Sequence, residues 1–171
     1  MSLTGHHLIA GQFTAKSTDS FQAADPASGL ALPTSFAEAS TEEVANACML
    51  AADAFEAYAA ISPEARATFL ESTADEIMAL GDDLIERCGQ ETALPPGRLT
   101  GERGRTVNQL RLFAQVVREG SWRDLRIDTA LPDRTPFPRP DIRQMQIPLG
   151  PVAIFGASNF PLAFSVAGGD T

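Results

Sequence analysis

The stretch FGASNFPLAF, residues 155–164, sets an asparagine amide between an apolar run and an aromatic–proline pair. The run before it, VAIF at 152–155, is wholly apolar, as in a strand covered on both faces of a parallel sheet. Pro161 reads as the first position of a helix. Strand, small-residue loop and helix form the unit at whose carboxyl edge open α/β sheets bind ligands. Asn159 therefore offers a neutral side chain that both donates and accepts hydrogen bonds at such an edge. On residue type alone, its first reading is a cap for the helix that Pro161 opens.

Two other residue types could carry chemistry. Cys48, in EVANACMLAADAF, and Cys88, in LIERCGQ, fall on predicted helix faces with nothing nearby to lower a thiol pKa. Both read as core or structural residues and not as nucleophiles. His6 and His7 are adjacent, without a cysteine or acidic partner at ligand spacing, and read as surface residues. No metal site and no Walker-type phosphate loop is expected.

The elements that must position Asn159 are mainly helical. Residues 6–36 read as strand and turn, with HHLIAGQF as a hairpin arm and DPASGLAL as a tight turn. Ser40 with Glu43 makes a capping box, opening a helix with Val44, Cys48, Ala51, Phe55 and Tyr58 on one stripe. Ser62-Pro63 starts the next helix, which presents Phe69, Thr73, Ile77 and Leu80 and breaks or bends around Gly81-Asp82-Asp83 before resuming through Leu84, Ile85 and Cys88. A further helix carries Leu99, Thr106, Leu110, Phe113 and Val117 and stops at Gly120. Beyond it, Pro132, Pro136, Pro138 and Pro140 predict an extended segment that cannot sit mid-sheet, followed by the strand IRQMQIPL.

The 171 residues allow one ordinary domain and its core. A formal net charge of −9 disfavours nucleic acid and anionic membrane as partners, because phosphates are repelled. No apolar run approaches the ~20 residues that span a bilayer. The N-terminus lacks the basic region of a signal peptide, and two cysteines fit reduced thiols, so the expected location is cytoplasmic. The apolar strand at 152–155 has no later strand to pair with in parallel, which predicts that the chain is the front part of a larger α/β protein.

The sequence GPVAIFGASNFPLAFSVAGGDT closely resembles a segment of aldehyde dehydrogenases in which Asn-Phe-Pro follows a strand. DPASG at 25–29 is similar to that family's early turn, and AADAFEAYAAISPEARATFLESTADEI to its following helix pair. ETALPPGRLTGERGRTVNQLRLFA resembles the NADP-preferring branch that contains ketoglutaric-semialdehyde (2,5-dioxovalerate) dehydrogenases and a related fatty-aldehyde dehydrogenase. The resemblance runs from about residue 8 to residue 171.

What the resemblance implies is NAD(P)-dependent oxidation of an aldehyde to an acid. In the family a cysteine thiolate attacks the aldehyde, an asparagine amide and a backbone N–H hold the oxyanion, hydride passes to the nicotinamide, and a glutamate-activated water releases the acid. Asn159 matches the oxyanion asparagine. Phe155, Gly156, Ala157 and Ser158 match the nicotinamide-ribose side of the cofactor cleft, with Ala157 and Ser158 replacing the commoner Pro-Trp pair. Phe160 and Phe164 match the wall of the substrate tunnel, or pack as core. Arg105 falls near the tunnel mouth, where it could clamp the remote carboxylate of an acidic semialdehyde, or remain solvated. The expected cofactor is NADP, with NAD as the alternative. Cys48 and Cys88 do not match the nucleophile, so the chain alone should be inactive.

The resemblance implies an α/β fold: the N-terminal part of an aldehyde dehydrogenase, with helices, the start of a parallel Rossmann-like sheet and an oligomerisation strand segment. Residues 1–122 are the helical part of the cofactor-binding domain, 123–148 the oligomerisation strands and 149–171 the first strand–loop–helix. The catalytic domain is absent, and the complete protein is expected to be a homodimer or homotetramer acting on a small-molecule aldehyde. The competing expectation is a non-catalytic helical binding or scaffold module.

Overall fold

A computed structural model describes residues 3–167. Two hairpins come first. β1 (His7–Ile9) and β2 (Gln12–Thr14) pair antiparallel across Ala10-Gly11, both with positive φ, as a tight two-residue turn requires. β3 (Ser20–Ala24) and β4 (Ala31–Ala37) pair across the DPASG turn. There the Asp25 carboxylate accepts from the Ala27 N–H and the Ser28 hydroxyl, each at 2.8 Å, which lowers its pKa. Gly5 has no substitute at its position: with φ +70°, a Cβ there would lie 1.9 Å from the Ser35 carbonyl oxygen.

Four helices follow: α1 (Thr41–Ala60), α2 (Pro63–Ala79), α3 (Gly81–Thr92) and α4 (Pro96–Glu119). The capping box at Ser40 and Glu43 forms as expected. Glu43, only 2 % exposed, also ties the first hairpin to α1, accepting at 3.0 Å from both the Thr14 hydroxyl and the Lys16 N–H. The Ser62 side chain caps α2 at the Ala65 N–H, the chain breaks at Gly81, and Gly120 (φ +79°) ends α4.

The core lies between α2 and α4. Ala67 and Ala74 are fully buried, and their small side chains let α4 approach with Val107, Leu110 and Ala114. A second cluster, Ile85, Cys88 and Leu99, joins α3 to the start of α4. Across the outer edge, Arg118 reaches Glu64 at 2.8 Å and Glu71 at 2.5 Å.

Two helix faces differ from the sequence reading. The buried face of α2 carries Ala67, Leu70, Ala74 and Ile77, while Phe69 is 55 % exposed and Leu80 40 %. Alanines, weak in a hydrophobicity pattern, pack there because α4 comes close. The α1 stripe is largely exposed, Val44 and Tyr58 included, and Cys48 with it; α2 reaches it at Tyr58, through Phe69 and Arg66. Gly101 and Gly104 lie inside α4, where an added Cβ would meet nothing within 4 Å among the described residues.

After a short 3-10 turn, Ser121–Arg123, β5 (Arg126–Asp128) pairs antiparallel with β6 (Ile142–Gln144) around the proline-rich segment. All three sheets among the described residues are two-stranded and antiparallel. The strand expected at 152–155 does not form: Val152 is exposed and Phe155 is 94 % exposed. A strand needs a neighbour for its N–H and C=O groups, and no described segment supplies one. The helix expected from Pro161 is a succession of short turns, with Ala163 and Phe164 N–H groups both donating to the Phe160 carbonyl. The remainder of the expected strand–loop–helix unit, 168–171, lies outside the described residues.

Candidate active site

Residues 157–167 are seated on one face of α4. The apolar part of the seat is continuous with the two core clusters: Leu162 packs on Ile85, Cys88 and Leu99, and Val166 on Ala74, Val107 and Leu110. Between them Ala163 is fully buried. Hydrophobic burial therefore fixes where the segment sits along α4.

Polar groups fix its backbone. The Arg98 guanidinium donates to the Asn159 carbonyl, and its Nε donates to Glu102 Oε1 at 3.1 Å. Glu102 Oε2 accepts from the Leu162 N–H at 3.2 Å, and the Thr106 hydroxyl donates to the Leu162 carbonyl at 2.6 Å. Glu102 and Thr106 are 5 % and 2 % exposed, so these bonds are made out of water. Positions 98, 102 and 106 are each four apart and share a helix face.

The Asn159 side chain takes no part in this scheme. It is exposed, and among the described residues no group bonds its amide. A helix cap would direct its oxygen at the backbone N–H two or three residues on. Pro161 has no N–H, and that of Leu162 is engaged by Glu102. The backbone is held and the amide is left free.

The other expected site residues gather at the same segment. Phe160 and Phe164 stack with centroids 4.4 Å apart and are half-buried, so packing and tunnel lining are compatible. Arg98 lies over the Phe160 ring at 4.9 Å and Arg105 over the Phe164 ring at 5.2 Å. Arg105 is exposed, and no described carboxylate pairs with it. Phe155, Gly156 and Ser158 are exposed and Ala157 is half-buried, its carbonyl accepting from the Phe160 N–H. The backbone groups of Phe155 and Gly156 have no partner among the described residues. A Cβ on Gly156 would make only an ordinary 3.7 Å contact with Ser165.

Neither cysteine is offered as a nucleophile. Cys88 is buried beneath Leu162, and desolvation raises its thiol pKa. Cys48 lies on the exposed face of α1. No group of His, Cys, Asp and Glu among the described residues could hold a metal ion. A groove of about 490 Å³ lies elsewhere: Phe55, Tyr58, Phe113, Trp122, Met145 and Ile147 line it, and no residue of 155–164 does.

Sequence reasoning missed Arg98, Glu102 and Thr106. A signal was present: Glu102 and Thr106 fall in the same stripe as Leu99 and Leu110, and a carboxylate in an apolar stripe demands partners.

The family model for the "Aldehyde dehydrogenase family" matches residues 13–168. Over the whole chain, 57% of residues are identical to alpha-ketoglutaric semialdehyde dehydrogenase 2 of Azospirillum brasilense, of which the match covers 33%. A second relative, alpha-ketoglutaric semialdehyde dehydrogenase of Acinetobacter baylyi, is 54% identical over 80% of the chain and 26% of its own length. Among solved structures, NADP-dependent glyceraldehyde-3-phosphate dehydrogenase from Bacillus halodurans, complexed with NADP, superposes with a TM-score of 0.62. That pair shares 27% identity over 67% of this chain and 24% of the other. The chain thus spans about a third of the length of the first of these relatives and about a quarter of the second.

Proposed function

Since this chain belongs to the aldehyde dehydrogenase family, we propose that the polypeptide carrying it oxidises an aldehyde to the carboxylic acid, with Asn159 stabilising the oxyanion. One observation carries the assignment of Asn159: its backbone is bonded by Arg98 while its exposed amide is unpaired. When a thiolate adds to an aldehyde, negative charge develops on the carbonyl oxygen. A neutral amide N–H can meet that charge without the repulsion a carboxylate would bring. Its value depends on being fixed before the charge appears, which a pinned backbone provides.

NADP supplies the hydride acceptor when bound. The described residues fit one edge of it only. The unpaired backbone groups of Phe155 and Gly156, with Ala157 and Ser158 beside them, would hold the nicotinamide-ribose side. No glycine-rich phosphate cradle appears among them. The relatives' names support an acidic semialdehyde as substrate, and the NADP-bound structural neighbour supports NADP as the cofactor.

The acidic substrate accounts for Arg105. Stacked on Phe164, its guanidinium keeps its N–H edges free for a carboxylate at the end of a tunnel walled by Phe160 and Phe164. The attacking thiolate is assigned to neither Cys48 nor Cys88. Residues 123–148 are assigned to assembly as a homodimer or homotetramer, supported by exposed Leu125, Ile127, Phe137 and Ile147. No described helix is long and apolar enough to cross a membrane, and the location proposed is cytoplasmic.

The test is NADP reduction by the complete polypeptide with 2,5-dioxovalerate and with a neutral aldehyde of similar length. A higher kcat/KM for the acidic substrate is expected. Equal values would remove the acidic-substrate reading, and no reduction with either would remove the oxidoreductase reading.

A further inference from the structure

We infer that Arg98, Glu102 and Thr106 are positioning residues that set the orientation of Asn159 from one face of α4. The inference rests on the reading of Asn159 as the oxyanion donor. The segment 157–167 has short turns in place of a regular helix, so its backbone groups are not all satisfied locally. Three side chains from another element complete them. Arg98 bonds the Asn159 carbonyl, Glu102 the Leu162 N–H and Thr106 the Leu162 carbonyl, across 61, 60 and 56 residues of sequence.

The three are coupled. Arg98 donates to Glu102 at 3.1 Å, so the carboxylate that holds the Leu162 N–H also orients the guanidinium that holds Asn159. Glu102 is 5 % exposed and Arg98 40 %, so the pair is anchored at its carboxylate end and reaches outward at its arginine end. The contact points bracket Pro161, whose φ is already restricted. With Asn159 held on one side and Leu162 on both its polar groups, little backbone freedom remains between them. The direction in which the Asn159 Cα–Cβ bond leaves the chain is thereby tied to α4. Each of the three side chains bonds the backbone and so acts through the asparagine.

The experiment is a set of double-substitution cycles in the complete polypeptide, read as kcat for aldehyde oxidation. Thr106→Val keeps the side-chain shape and removes the hydroxyl. Glu102→Ala removes the carboxylate. Each is expected to lower kcat about 10- to 100-fold, as displacement of a reacting group by about an ångström can. The KM for NADP should stay near its original value. In an Asn159→Ala background the same substitutions should change kcat by less than about twofold, because the group they position is gone. A full loss on top of Asn159→Ala would overturn the inference.

A second readout separates this inference from the oxyanion assignment. If Asn159→Ala leaves kcat unchanged, the oxyanion assignment fails, and positioning is judged by deuterium uptake at the Leu162 amide. Uptake should rise at least about tenfold in Glu102→Ala, the loss of one buried hydrogen bond, and much less in Glu102→Gln, which retains an acceptor oxygen. Equal uptake in the original protein and Glu102→Ala would overturn the positioning role whatever the kinetics.

Discussion

The Arg105 guanidinium lies over the ring of Phe164, 5.2 Å from its centroid, and Phe164 in turn stacks on Phe160 at 4.4 Å. A stacked guanidinium keeps its in-plane donors for a carboxylate. Arg105→Met preserves length and apolar contact while removing the charge. The KM for an acidic aldehyde should rise about 10- to 100-fold, as for a lost charge-assisted hydrogen bond, with that for a neutral aldehyde changing much less. Equal changes for both substrates would leave Arg105 without a role in recognition.

The two cysteines should differ in reactivity. Cys48 is exposed on α1, whereas Cys88 is buried between Ile85 and Leu99, and desolvation lifts its thiol pKa. Since the thiolate is the reactive form, a neutral-pH alkylating reagent should label Cys48 first and Cys88 only on unfolding. Mass mapping of singly labelled protein decides the order. Early modification of Cys88 would contradict the packing described here.

Glu43 should govern part of the acid limb of stability. Hydrogen bonds from the Lys16 and Ser40 N–H groups, helped by Thr14 and Ser40 hydroxyls, hold its carboxyl at about 2, against 4.5 ordinarily. A carboxyl depressed in the folded state stabilises the fold above its unfolded pKa. That contribution fades as pH falls from 4.5 through about 2. Glu43→Gln should lower the melting temperature at neutral pH and flatten its fall over that window. A parallel acid limb in both proteins would show that Glu43 contributes nothing there.

The α2–α4 core should be intolerant of both loss and gain of volume. Leu99 is fully buried, and Leu99→Ala should cost about 2–5 kcal/mol by cavity formation. Ala74 is equally buried against Val107 and Leu110, and Ala74→Leu should cost about 1–3 kcal/mol by overpacking. Denaturant midpoints measure both. Near-neutral values would show that these faces do not form the core.

Local signals were legible in the sequence because they need only neighbours along the chain. Ser40 with Glu43, Ser62 with Pro63, the break at Gly81 and the stop at Gly120 all appear as expected. Faces were less legible. The buried side of α2 runs through Ala67 and Ala74, which pattern poorly yet permit close approach, while Phe69 turns outward to meet Tyr58 edge-on at 6.1 Å. The apolar run at 152–155 resembles a strand, but strand formation depends on a partner and not on composition. The candidate site divides in the same way. Asn159, Phe160 and Phe164 stand out in one short stretch. Arg98, Glu102 and Thr106 act across about sixty residues of sequence, and only the misplaced polarity in the α4 stripe hints at them.

The role of Asn159 is measured most directly as kcat of the complete polypeptide carrying Asn159→Ala, assayed by NADP reduction with a semialdehyde substrate. Loss of one pre-oriented oxyanion donor predicts a fall of about 10²- to 10³-fold with an unchanged melting temperature. A kcat within about threefold of the original would contradict the account, since a lost oxyanion donor costs far more than that.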